Sequence, residues 1–246
     1  MNLAVQWLRS VVFVVQAYAM MVPLGLVFLP WALFSARGAN AACKTWCRWT
    51  LWTARWMVGI RTEVRGTPPA HECLIAAKHQ SFLDIILIFS TVPAGKFIMK
   101  RELMYAPIIG QYALKLGCVP VDRGKRSQAV RKMVEDVGKG RATPGQLIIY
   151  PQGTRILPGV SAPYKIGSGV LYQELGQDCV PVATNVGLFW PRRGILRKPG
   201  LAVVEFLPEI PAGMDKEPFM ARLEQDVETA SNRLMREAGF DPNGVS

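Results

Sequence analysis

The chain reads as an α/β protein, a mixed sheet flanked by helices, preceded by an N-terminal membrane-embedded helical segment. Three observations predict this. Residues 11–34 form an uncharged apolar run of 24 residues, VVFVVQAYAMMVPLGLVFLPWALF, and roughly 20 suffice to cross the hydrocarbon core of a bilayer as a helix. Beyond Gly66 and the Pro68-Pro69 break, short apolar runs alternate with stretches of helical periodicity, the signature of strands interleaved with helices. Glycines and prolines, 22 and 18 in 246 residues, punctuate the joints between these runs.

The membrane end comes first. Arg9 precedes the apolar run, Arg37, Lys44, Arg48 and Arg55 follow it, and the first sixty residues hold no acid. That bias places the downstream domain on the cytoplasmic face of the membrane. Pro23 and Pro30 are placed to kink the helix. Residues 43–60 carry Trp46, Trp49, Trp52 and Trp56 among Lys44, Arg48 and Arg55, a composition suited to the membrane interface. A single crossing with an interfacial helix and a helical pair entering and leaving one leaflet both fit. A cleaved signal peptide, with AxA-like sites at 36–42, and the buried core helix of a soluble domain are the bland alternatives; the length and lack of charge of the run disfavour the second. The expected division is 1–60 for anchoring helices and 61–246 for the α/β domain.

In chain order, CLIAA at 73–77 reads as a strand, and FLDIILIF at 82–89 is an apolar run whose start opens a helix. KFIM and CVPV are apolar runs on either side of the helix-like PIIGQYALKLG. An amphipathic stretch at 127–139 leads to the strand QLIIY at 146–150. A Gly-rich helix start, CVPVATNV at 179–186 and LAVVEFL at 201–207 come next. The last segment, 215–238, places Phe219, Leu223, Val227, Ala230 and Leu234 at helical spacing with Asp215 as its cap.

Net charge is +11, and residues 205–246 hold nine of the eighteen acids but only four of the twenty-nine Lys and Arg. The rest therefore carries 25 bases against 9 acids, a surplus of +16. Such a field attracts nucleic acid, anionic membrane lipids or a phosphorylated substrate. No nucleic-acid-binding motif accompanies it, so nucleic acid is not an expected partner. The loop at 190–200, with Arg192, Arg193, Arg197 and Lys198, is the most basic long connection and is expected to touch anionic headgroups. Five cysteines without C-x-x-C spacing read as reduced and non-ligating. The two histidines, His71 and His79, exclude a histidine-rich metal centre, and no metal is expected. His71, in a turn-like stretch, reads as a surface histidine.

Residues 78–84, KHQSFLD, follow an apolar strand and open a helix. His79 is thereby placed at a strand's carboxyl end, where open α/β sheets bind ligands. An imidazole there takes a proton from a hydroxyl if its other nitrogen donates to a carboxylate, and Asp84 is that candidate. Ser81 and Asp84 also satisfy the S-x-x-D capping pattern, and the two roles are compatible. In Tyr150-Pro151-Gln152-Gly153-Thr154-Arg155, Gly153 permits close backbone approach, Thr154 offers a hydroxyl donor and Arg155 a bidentate fork for phosphate oxygens. An ordinary strand-to-turn connection with a solvated arginine is the competing reading.

His79 and Asp84 resemble the first motif of the glycerolipid acyltransferase family, and residues 150–155 resemble its third, normally Phe-Pro-Glu-Gly-Thr-Arg. Lys100-Arg101-Glu102-Leu103, Pro107, Gly110, Gly117 and Val119-Pro120-Val121-Asp122-Arg123 resemble the block between them, and Val180-Pro181-Val182 the fourth. The resemblance covers roughly 70–190, in order. It implies that His79 is the general base for an acceptor hydroxyl, which attacks the thioester of acyl-CoA or acyl-carrier protein without an acyl-enzyme. The implied reaction acylates the sn-2 hydroxyl of lysophosphatidic acid to give phosphatidic acid for phospholipid synthesis, with no cofactor beyond the acyl donor. Gln152, Gly153, Thr154 and Arg155 would hold the acceptor, with Arg123 as a second phosphate contact and Lys100 as a further one. Gln152 departs from the family's glutamate, retaining size and hydrogen-bonding reach but not charge; activity is expected to be retained. Another lyso-lipid or glycerol 3-phosphate as acceptor, or a catalytically silent lipid-binding relative, are the alternatives.

Overall fold

The computed structural model describes residues 2–106, 109–121 and 144–244, without the side chains of Lys100, Ile109 and Val121. The chain starts with three helices, α1 (Leu3–Ala19), α2 (Met21–Phe34) and α3 (Ala36–Thr53). Asn2 caps α1 by accepting from the Ala4 amide at 3.0 Å. The apolar run breaks at Met20, in front of Pro23. Pro23 then sits in the first turn of α2, where its missing N–H costs nothing, and Pro30 lies inside that helix. Ser35 is extended and accepts from the Arg37 amide, reversing the chain into α3. Gly38 lets the two helices meet there, since a Cβ on it would lie 2.6 Å from the Trp31 carbonyl carbon.

α1 is docked by a narrow stripe of mixed polarity. Gln6, Ser10, Phe13 and Ala17, one stripe at helical spacing, are buried, while Leu3, Val5, Trp7, Leu8, Val12, Val15 and Tyr18 face outward. Gln6 Nε2 donates to the carbonyls of Val58 and Arg197 at 3.0 and 2.8 Å, and Ser10 Oγ accepts from the Arg197 amide at 2.9 Å. Of the four tryptophans expected at an interface, Trp46 and Trp49 instead turn inward, donating to Ala17 O and Gln16 Oε1 at 2.7 Å each. Trp52 and Trp56 remain exposed. The indole N–H explains the difference, because in an apolar helix pair it needs an acceptor and α1 supplies two.

After a π turn (Ala54–Val58) and Gly59 at φ 77°, seven strands among the described residues form one sheet: β1 (Ile60–Arg65), β2 (Leu74–Ala77), β3 (Gly95–Lys100), β4 (Val119–Val121), β5 (Gln146–Ile149), β6 (Cys179–Thr184) and β7 (Gly200–Phe206). Their order is β1-β7-β6-β2-β5-β3-β4, with all pairs parallel except β6 with β7. The expected mixed sheet is therefore present. β1 was not legible: IRTEVR is too polar for an interior strand, but it lies at the sheet edge, where Arg65 pairs with Glu63 and Glu237 at 2.7 and 2.6 Å.

Among the described residues, helices α4 (Leu83–Thr91), α5 (Ile109–Lys115), α6 (Gly167–Leu175) and α7 (Lys216–Glu237) flank the sheet. Period-two alternation divides the strands between two cores. Ile75, Ala77, Ile148, Val180 and Val182 pack with α4, Phe13 of α1 and Cys47 of α3. Leu74, Ala76, Leu147, Ile149 and Cys179 pack with α6 and with Phe219, Leu223 and Val227 of α7. Asp215 occupies the cap position of α7 but its side chain makes no capping bond. The amphipathic stretch 127–139 lies outside the described residues.

All five cysteines are free, and four are buried. Burial, then the charges of Glu209, Asp178 and Glu72, push the Cys73 thiol up to about 12; burial also raises Cys118 and Cys179. The thiolate fraction of Cys73 at pH 8 is then about one in ten thousand. Native protein treated with iodoacetamide at pH 8 should leave these three thiols unmodified by intact mass, and all should react in denaturant.

Candidate active site

The strand β2 ends at Ala77, and His79 follows two residues later, 13% exposed at the carboxyl end of the sheet. Its Nδ1 lies 3.0 and 3.2 Å from the two oxygens of Asp84, which is fully buried in the first turn of α4. Asp84 Oδ2 also accepts from the amides of Gln80 and Ser81 at 2.9 and 2.8 Å, while Ser81 Oγ accepts from the Leu83 amide at 3.1 Å. Capping and orientation of the imidazole thus coexist in one carboxylate. Because Asp84 offers only acceptors here, Nδ1 must carry the proton, and the Nε2 lone pair is left to take one.

The 150–155 segment meets this pair directly. Tyr150 follows β5 and stacks on the imidazole, with ring centroids 3.9 Å apart and planes 21° from parallel. Its buried phenol stays protonated, because burial and then the charge of Asp84 hold its pKa well above the ordinary value. The Ile156 amide donates to the His79 carbonyl at 2.7 Å, joining the two segments through the backbone. Between them Gly153 turns the chain at φ 69°, a conformation that suits glycine. Gly153 and Thr154 are exposed, and Arg155 is half-buried with Nη1 3.5 Å from the Arg192 carbonyl, a weak contact that leaves the guanidinium free to bind.

Gln152 differs from its neighbours. It is buried, and its Nε2 lies 3.3 Å from the Ala162 carbonyl and 3.4 Å from Glu228 Oε1 on α7. Gln152, expected among the acceptor-holding residues, has its side chain in an internal polar cluster. Glu228 and Tyr164 belong to that cluster, and nothing in the sequence spacing of either marks it. Arg123 lies outside the described residues, and Lys100 is described in its backbone alone, at the end of β3.

One expectation changes. Arg197 is not a solvated loop arginine: it is buried, its guanidinium 4.5 Å over the Trp190 ring and donating to the carbonyls of Gly194 and Ile195. Burial lowers its pKa to about 10, so it remains charged at neutral pH. Arg193 and Lys198 are the exposed bases of that loop. His71 is half-exposed beside Glu209 and Asp178, before β2 and so at the opposite end of that strand from His79.

A family model described as Acyltransferase matches residues 61–185. The chain is 30% identical over 196 residues to a 1-acyl-sn-glycerol-3-phosphate acyltransferase of Pseudomonas aeruginosa, covering 79% of this chain and 76% of that one. It is 28% identical over 195 residues to the human protein named 1-acyl-sn-glycerol-3-phosphate acyltransferase alpha, with 74% and 69% covered. The crystal structure of the LPA acyltransferase PlsC from Thermotoga maritima superimposes with a TM-score of 0.79 over 95% of this chain and 99% of that chain, at 20% identity.

Proposed function

The chain belongs to the acyltransferase family, and from that membership and the geometry at His79 we propose that it acylates the sn-2 hydroxyl of lysophosphatidic acid, forming phosphatidic acid for phospholipid synthesis. The observation that carries this reading is the His79–Asp84 pair with a free Nε2, beside a turn that ends in Arg155. In the proposed mechanism, Nε2 takes the hydroxyl proton as the acceptor oxygen attacks the thioester carbonyl of acyl-CoA or acyl-carrier protein. Asp84 stabilises the resulting imidazolium. The tetrahedral intermediate collapses to the ester, and the imidazolium returns its proton to the departing thiolate. Arg155 and the exposed Gly153 and Thr154 hold the acceptor's phosphate.

The same reading places residues 1–60 in a membrane and 61–246 on its cytoplasmic face. It is supported by the outward apolar face of α1, since a helix docking on a soluble domain buries its apolar side. The absence of acids in residues 1–60 favours anionic lipids as neighbours and a cytoplasmic catalytic domain. Gln152, in place of glutamate, keeps another lyso-lipid or glycerol 3-phosphate as the second choice of acceptor.

The test is acyl transfer by membranes containing this protein, with labelled acyl-CoA and acyl-carrier-protein donors offered in parallel to lysophosphatidic acid, glycerol 3-phosphate and other lyso-lipids. Labelled phosphatidic acid, formed from lysophosphatidic acid faster than any other product forms, is the expected result. Preference for an unphosphorylated acceptor would overturn the reading.

A further inference from the structure

Lys78 and His79 are neighbours in sequence but serve opposite faces of the sheet: His79 meets Asp84 on α4, while Lys78 turns toward α7. The Lys78 ammonium, 2% exposed, lies 2.6 and 2.7 Å from the two oxygens of Glu228. Glu228 Oε1 also accepts from the Tyr164 hydroxyl at 3.0 Å and from Gln152 Nε2 at 3.4 Å. Burial and this carboxylate push the Tyr164 phenol far up, so it remains a donor. The amide orientation of Gln152 follows from its neighbours: Glu228 and the Ala162 carbonyl can only accept, so both must face Nε2, and Oε1 is left buried without a partner.

A buried ion pair is a poor source of net stability, because apolar residues of similar volume often do as well. Its connections are what single it out. One end, Lys78, is the residue before His79, and the other, Glu228, lies 3.4 Å from Gln152 in the turn that leads into Gly153, Thr154 and Arg155. A glutamate at position 152 would set a second carboxylate against Glu228, with Lys78 as the cation contacting Glu228, and like charges that close disfavour joint ionisation. An amide at 152 donates instead.

We infer that Glu228 is a positioning residue of the active site: from α7, with Lys78 and Tyr164, it supplies the carboxylate absent from position 152 and holds Gln152 and its turn against the strand end bearing His79. The inference rests on the acyltransferase reading of that site. It makes the identities of residues 152 and 228 interdependent, although they lie 76 positions apart.

The experiment is a double-mutant cycle of Gln152→Glu, Glu228→Gln and the exchange carrying both, with kcat and KM for lysophosphatidic acid and acyl donor and with thermal unfolding. Each single variant should lose roughly tenfold or more in kcat/KM, with KM for the acceptor rising more than KM for the donor, and the exchange should recover most of the loss. A merely structural role would not separate the two KM values. Should Glu228→Gln fail to fold because Lys78 is left unpaired, Gln152→Glu and the exchange still decide, since both keep a carboxylate in the cluster. Full activity of Gln152→Glu, or an exchange no better than the poorer single variant, would overturn the inference. Wild type inactive on lysophosphatidic acid would refute the acceptor assignment instead. The unfolding midpoints then judge the pair on their own: non-additive values support it, and additive values sink it.

Discussion

Replacing His79 by alanine should lower acyl transfer to lysophosphatidic acid by roughly a thousandfold or more, within the range general base catalysis contributes, while the protein stays folded. The separation of activity from stability follows from the contacts. Truncation removes the imidazole stack on Tyr150 and one donor to Asp84. Asp84 keeps the Gln80 and Ser81 amides, so no buried carboxylate is orphaned. The His79 carbonyl, a backbone group, still accepts from Ile156 and keeps the two segments joined. Turnover with labelled donor, beside a circular-dichroism melt of the same preparation, checks both halves. Product from the variant at a rate near wild type would remove His79 from the chemistry.

How far the sequence reached depended on what each residue signals locally. The strands β2, β5, β6 and β7 are apolar runs bounded by Gly or polar residues, and local pattern suffices for them. β1 escaped because Glu63, Arg61 and Arg65 are charged, and only its place at the sheet edge reconciles that with a strand. His79 and Asp84 were legible because their partnership spans five residues and is set by the opening of one helix. Glu228 was not, because its partners Lys78 and Gln152 lie 150 and 76 positions away, and a glutamate on a long amphipathic helix looks like any solvated face. Arg197 misled for the mirror-image reason: a basic loop composition suggests solvent, and the covering ring of Trp190 becomes visible only when the chain has folded. The docked side of α1 shows the same limit. Gln6 and Ser10 interrupt no apolar statistic, yet they join that helix to the rest of the protein.

Asp84→Asn should reduce turnover nearly as much as loss of His79, on the order of a thousandfold, with a smaller change in stability than Asp84→Ala. The site asks Asp84 for two acceptors: one oxygen for His79 Nδ1 and another for the amides of Gln80 and Ser81. Asparagine has one acceptor oxygen and one donor nitrogen. If the oxygen turns to the backbone amides, the NH2 group faces Nδ1, which must then accept. The proton moves to Nε2, the tautomer that cannot serve as base. If the oxygen turns to His79, the NH2 group abuts two buried N–H groups, and the segment leading into α4 loses both hydrogen bonds that Asp84 accepts from it. The first orientation breaks fewer hydrogen bonds, so the folded variant should hold a well-packed but wrongly protonated histidine. Nitrogen-15 NMR of the imidazole distinguishes these outcomes: proton on Nε2 with low turnover confirms the orienting role, whereas Nδ1–H with normal turnover would reduce Asp84 to a helix cap.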